Sequence, residues 1–184
     1  MPASLEDILD GLLPQTQCTR CGFSGCRPYA QAMAAGTAGP DQCPPGGAGT
    51  VAALAAQLKV AAGPVNPQYG TEGPPRVAVI DESVCIGCAK CLPACPVDAI
   101  IGARRMLHTV VAGECNGCEL CLPPCPVDCI VMVATTPEPL PLEQIRERAH
   151  HYRARHDAHQ SREATRALRR AAHLSAHRPS GGAT

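Results

Sequence analysis

The stretches VCIGCAKCLPACPVDAI (residues 84–100) and ECNGCELCLPPCPVDCI (residues 114–130) are two copies of one unit. They lie thirty residues apart and agree at eleven of seventeen positions. Each sets its cysteines as C-x2-C-x2-C-x3-C before a proline: Cys85, Cys88, Cys91 and Cys95, then Cys115, Cys118, Cys121 and Cys125. Three thiols in seven residues, with a fourth four positions on, wrap one backbone segment around one object. A zinc ribbon uses two separated Cys pairs instead. The doubled run is the ligand pattern of bacterial-type [4Fe–4S] centres.

In that pattern the first three thiolates hold three corners of one cubane. The fourth, where Pro96 or Pro126 redirects the chain, reaches the other cluster. The expected sets are Cys85, Cys88 and Cys91 with Cys125, and Cys115, Cys118 and Cys121 with Cys95. Such a swap staples the two halves together. Gly87 and Gly117 let backbone N–H groups turn toward the sulfurs. Strand-like runs flank the copies at residues 76–81, 99–101, 107–111 and 129–133. With a short helix in each copy, they predict a small β-hairpin pair related by a pseudo-two-fold, in which neither copy buries a core alone. Cys129 stands where the first copy has Ala99, and a small buried apolar residue is the expectation there.

Composition agrees with a fold held by metal. The 184 residues include thirteen cysteines but one Phe, three Tyr and no Trp, so aromatic packing is thin. An odd cysteine count, the C-x2-C steps and an opening MPASLEDILDGLL without a secretory pattern count against a disulfide scaffold. The best apolar run, VAALAAQLKVAA (residues 51–62), is short and carries Lys59. A chain that does not span a membrane is expected.

Before the repeat, Cys18-x2-Cys21-x4-Cys26 and then Cys43 offer four more thiolates. Their spacing accepts zinc as well as an iron–sulfur cluster. Around them, a helix is predicted over residues 5–13 with Ser4 as N-cap and Asp7 at N3, stopped by Pro14. Others are predicted over 28–35, ended by Gly36, and 51–61, capped by Thr50. The run GGAGT (residues 46–50) lacks the lysine of a phosphate loop and reads as a turn. Residues 62–75 hold four Pro and three Gly, a linker composition. The division expected is 1–61, a small α-helical metal domain; 62–75, the linker; 76–134, the dicluster domain; and 142–177, a basic helical tail. The fold class is α+β.

The net charge of zero is unevenly spread. Residues 1–142 carry seven Lys and Arg against twelve Asp and Glu; residues 143–184 carry nine Arg against four acids. In the tail, Leu142, Ile145, Ala149 and Tyr152 form one stripe that weakens further on, so the outer helix is expected to fray. His173 and His177, four apart, could take a metal, although a solvated face is the plainer expectation. Anionic lipid, an acidic partner or the chain's own acidic body would suit the arginines. Without interleaved aromatics, nucleic acid is not indicated.

The segments LPQTQCTRCGFSGCRPYAQAM…CPPGG and VAVIDESVCIGCAKCLPACPVDAIIGA…MLHTVV, with the second repeat, resemble the iron–sulfur and ferredoxin domains of the RnfB (also RsxB) family of Rnf electron-transport complexes. The resemblance covers about residues 13–133. It implies that Cys18, Cys21, Cys26 and Cys43 carry a third [4Fe–4S] cluster. It also implies an electron carrier without a catalytic centre, relaying single electrons between a redox donor and acceptor, with a membrane electron-transport complex among its partners. Members generally begin with a membrane-spanning helix, and the opening residues here do not read as one. Cytoplasmic placement is expected, with peripheral contact at the inner membrane through the tail as a second placement. Two other functions fit the residues: an iron–sulfur redox sensor with a basic regulatory tail, and a zinc-bound interaction module.

Overall fold

The computed structural model describes residues 3–176. Helix α1 (Leu5–Leu12) begins as its sequence dictates: the Asp7 N–H donates to Ser4 Oγ and the Ser4 N–H to the Asp7 carboxylate, both at 3.2 Å. This reciprocal capping box satisfies two otherwise orphaned donors. Helix α2 (Cys26–Ala34) starts two residues ahead of the expected position, because Gln17 reaches in from the preceding loop and accepts the Cys26 N–H at 2.9 Å. It ends in a Schellman turn on Gly36 (φ +71°), with the Thr37 N–H donating to the Ala32 carbonyl.

Helix α3 (Gly47–Leu58) differs from expectation. It starts four residues early, so GGAGT enters a helix rather than a turn, and Thr50 lies buried inside it, its hydroxyl without a partner among the described residues. The cap comes instead from the Pro/Gly-rich stretch: Glu72 accepts the Ala48 N–H at 2.9 Å. A carboxylate there also meets the positive end of the helix dipole. Residues 62–75 therefore fold back onto the start of α3 and the loop before it, with the Asn66 N–H donating to the Asp41 carbonyl.

Strand β1 (Arg76–Ile80) pairs antiparallel with β4 (Ile130–Ala134), Ala78 lying opposite Met132. Strand β2 (Ile100–Ile101) pairs antiparallel with β3 (Thr109–Val110). The strand that opens the first copy thus closes on the one that ends the second, and the β2–β3 hairpin joins the copies. Left-handed backbone recurs at the same thirty-residue step, at Gly87 and Gly117, Ala89 and Glu119, Asp98 and Asp128. A Cβ on Gly87 would stand 2.8 Å from the Met106 carbonyl oxygen, so glycine is required there. Only the first copy forms its short helix, α4 (Cys91–Ala94). The second copy makes turns instead, because Pro124, in the place of Ala94, has no N–H to give and cannot continue a helix.

Two separate cores result. Leu9, Leu13, Tyr29, Met33 and Leu54 close around Cys26 and Cys43. Val77, Ile80, Val97 and Ile130 close around Cys91, Cys95, Cys115, Cys121 and Cys129. Cysteine thus takes core positions that aromatic side chains fill in other domains.

Helix α5 (Leu142–Ala176) runs unbroken for 35 residues, about 52 Å at the α-helical rise. Ala149 and Tyr152 bury as the stripe predicts. The fraying expected beyond Tyr152 is not seen, because polar contacts replace apolar ones. Arg153 donates to the Asp10 carbonyl at 2.7 Å and pairs with its carboxylate at 2.8 Å. Arg155 donates to the Val97 and Asp98 carbonyls, while His159 and Arg162 meet the Asp98 carboxylate. The helix therefore straps both cores together. From Ala164 to Ser175 it is exposed. His177 and the RPSGGAT end lie outside the described residues. Among those residues, no helix is long and apolar enough to cross a membrane.

Candidate metal centres

The loop LPQTQC leaves α1 at Pro14 and places Gln15, Gln17 and Thr19 in left-handed backbone at φ 54–60°. A buried amide chain holds that shape. Gln15 donates to the Asp10 carbonyl at 2.8 Å, Gln17 donates to Gln15 Oε1 at 2.9 Å, and Gln17 in turn accepts the Cys26 N–H. The loop is thereby wrapped so that Cys18, Cys21, Cys26 and Cys43 line one small cavity. Burial, foremost, pushes the Cys26 thiol up to about 12, and Cys43 rises for the same reason. The neighbouring thiols add to both shifts.

A second cavity is lined by Cys85, Cys88, Cys91 and Cys125. Cys125 thus joins the first copy's trio, as the spacing predicts. Cys95 goes the other way. Burial and then the surrounding thiols of Cys95, Cys121 and Cys115 push Cys118 up to about 12, and Cys121 reaches about 12 from burial with Cys115 and Cys95 nearby. Backbone donors complete this cage: the Ala78 N–H donates to Cys115 Sγ at 3.4 Å and the Ala99 N–H to Cys95 Sγ at 3.2 Å.

Two further groups line the cage around Cys85. His108, only 1% exposed, sets Nδ1 3.5 Å from Cys85 Sγ, while its buried Nε2 has no partner among the described residues. Cys129 is buried as expected, but its sulfur lies 3.5 Å from Cys125 Sγ. Burial and the Cys125 thiol push Cys129 up to about 12. Its neighbour Cys125 is shifted down: burial opposes ionisation, and the Val127 and Cys129 N–H groups overcome it. The cysteine motif does not single out His108, and the other six histidines of the sequence crowd into the tail. The signal for His108 is the repeat itself: thirty residues before it stands Ala78.

The spatial order of the cages is not the chain order. Asn116, beside Cys115, donates to the Thr16 carbonyl at 2.9 Å, and Arg20 pairs with Glu119 at 2.7 Å. The N-terminal cage loop therefore abuts the loop of the second copy. The cage around Cys85 lies beyond, next to exposed Val84, Ile86, Met106 and Leu107.

The donor set fits iron–sulfur clusters. In each cage some thiols are crowded out of water and resist ionising: burial raises Cys21, Cys26 and Cys43 in the first, Cys91 in the second, and Cys95, Cys118 and Cys121 in the third. As thiolates these need a cationic centre among them. Among the described residues, no three His, Cys, Asp or Glu side chains are placed to hold a single metal ion.

Residues 78–132 match the family model of the 4Fe-4S dicluster domain, and residues 13–45 that of a putative Fe-S cluster domain. The chain is 58% identical over 112 residues to the B subunit of the ion-translocating oxidoreductase complex of Alkalilimnicola ehrlichii, covering 60% of each chain. It is 56% identical over 107 residues to the same subunit of Azoarcus sp. strain BH72, covering 58% of each chain. Against that of Thiobacillus denitrificans it is 54% identical over 110 residues, covering 60% of this chain and 58% of the relative. Over those stretches the chain is similar to these B subunits. The similarity spans 58–60% of the length of these curated relatives. No solved structure matches. The dicluster domain and the likeness to these redox subunits together support [4Fe–4S] clusters as the cofactor type.

Proposed function

We propose that the chain is an electron-relay subunit of an Rnf-type redox complex, carrying three [4Fe–4S] clusters. The carrying observation is the gathering of twelve cysteines, each buried or half-buried, into three sets of four. Cys18, Cys21, Cys26 and Cys43 line one cavity. Cys85, Cys88, Cys91 and Cys125 line another. Cys95, Cys115, Cys118 and Cys121 form the third set. When bound, each cluster supplies a site that takes up and gives back one electron. The residues around it hold thiolates in place, exclude water and direct N–H groups at sulfur. Residues 1–61 and 76–134 act as two modules joined by residues 62–75, the second with a ferredoxin-like pseudo-two-fold.

The contacts of Asn116 with Thr16 and of Arg20 with Glu119 support a relay order of N-terminal cage, Cys115 cage, Cys85 cage. The apolar surface beside the last cage suits docking of a redox protein, and the exposed basic end of α5 suits an anionic partner or membrane face. A DNA-binding sensor is less well supported, because Arg153, Arg155 and Arg162 are already committed to the chain's own acidic and carbonyl groups.

The test is anaerobic preparation with metal analysis. Roughly twelve irons per chain, four for each [4Fe–4S] centre, with bleaching by dithionite, is expected. Zinc in place of iron would sink the proposal. Fractionation of the same cells, with and without residues 143–184, then reports whether the chain follows the membrane.

A further inference from the structure

The two cages of the dicluster module differ at two positions that the repeat makes equivalent. Where the cage around Cys115 has Ala78 and Ala99, the cage around Cys85 has His108 and Cys129. Neither difference is a surface change. His108 and Cys129 are both buried, and their polar atoms lie 3.5 Å from Cys85 Sγ and Cys125 Sγ. Room for the imidazole is made across the hairpin. Gly102, one step beyond the β2–β3 pairs, faces His108, and a Cβ on it would collide with the ring. At the equivalent place in the other sheet, Met132 stands opposite Ala78. Large and small side chains have changed places between the two strand pairs, which puts the imidazole against the thiol.

We propose that His108 and Cys129 are potential-setting residues, which hold the cluster in the Cys85 cage at a higher reduction potential than its neighbour in the Cys115 cage. This rests on the cysteine assignment proposed above. Nδ1–H of His108 donates to Cys85 Sγ, leaving Nε2 as the lone pair, since an unpaired acceptor is tolerated inside a protein more readily than an unpaired N–H. The thiol of Cys129 donates to Cys125 Sγ. Reduction places added negative charge on the ligand sulfurs, and each donor stabilises that charge. The Cys115 cage, with alanine at both positions, has only backbone donors there. One electron leaving that cage then runs downhill to the outer cage, beside Ile86 and Met106, and from there reduces the one-electron centre of a redox protein docked on that surface.

The experiment is an anaerobic potentiometric titration of the iron-loaded full chain, followed by EPR, in His108→Leu, His108→Asn and Cys129→Ala. His108→Leu and Cys129→Ala should each move one of the two dicluster potentials to a more negative value and leave the other unchanged. His108→Asn, whose amide N–H falls near the position of Nδ1, should restore most of the histidine value. Unchanged potentials in His108→Leu, or equal shifts at both centres, overturn the proposal. A second measurement needs no folded variant at that site. Native chain labelled with 15N-histidine should show a nitrogen coupling to a reduced cluster in pulsed EPR, and absence of any such coupling overturns the role of His108. Iron content read on the same samples separates the two levels: a chain without iron refutes the cluster assignment, whereas a loaded chain without the shift refutes only the tuning.

Discussion

Arg153 of α5 closes on Asp10 of α1 across 143 residues of chain, with a guanidinium nitrogen 2.8 Å from the carboxylate and another 2.7 Å from the Asp10 carbonyl. Asp10 is almost wholly buried and also takes the amide of Gln15, at the head of the chain of contacts that ends at Cys26. The strap and the N-terminal cage are therefore mechanically linked. Arg153→Ala removes the nearest of three partners of a buried carboxylate, leaving Gln15 at 3.1 Å and Arg27 at 3.9 Å, a loss of about 1–3 kcal/mol. Anaerobic denaturation of the loaded chain should show this, together with faster proteolysis within residues 142–176. A variant as stable and as resistant as the parent would mean that α5 is not held by this pair.

Cys95→Ala tests the exchange of ligands between the copies. Because Cys95 sits with Cys115, Cys118 and Cys121, the substitution should disturb the cluster of the second copy and spare that of the first. EPR of the reduced protein resolves the two. Loss confined to the first copy's cluster would show that each copy keeps its own four cysteines.

Cys129→Ala should leave iron content unchanged while altering the potential as argued above. Cys129 already has four cysteines beside it in the same cavity, so it is a surplus thiol. A large drop in iron per chain would make it a ligand instead.

The helix starts offer a test free of metal chemistry. Ser4→Ala should cost about 0.5–2 kcal/mol, and Glu72→Gln about 0.3–1 kcal/mol through the dipole of α3. The Ser4 hydrogen bond, foremost, and Arg27 hold Asp7 at about 2, below its ordinary 3.8. A carboxylate depressed in the folded state stabilises above its unfolded pKa, and that contribution is lost as pH falls from 3.8 through about 2. The Ser4→Ala cost should therefore be flat across neutral and mildly alkaline pH. A cost that changes steeply there would exclude Asp7 as the reciprocal cap.

The capping box at Ser4 and Asp7, the strand positions and the gathering of Cys125 with Cys85, Cys88 and Cys91 were legible because each depends on residues close in sequence or on a repeat with a fixed step. Thr50 shows the limit. It looks like an N-cap, yet the cap of α3 is Glu72, twenty-four residues from the N–H that it accepts. The tail shows another. Its apolar stripe weakens beyond Tyr152 and predicts fraying of the outer helix, whereas the polar contacts of Arg153, Arg155, His159 and Arg162 hold it. Apolar periodicity cannot report contacts made by charge.

From the sequence alone come the cysteine pattern, its doubling and the composition poor in aromatic residues, since each is fixed by residue identity and short, regular spacing. Only the tertiary structure decided which cages adjoin, that α5 straps both cores, and that one cage alone is faced by an imidazole and a fifth thiol. Those are properties of side chains brought together across strands and loops, where a single glycine opposite His108 settles what can fit.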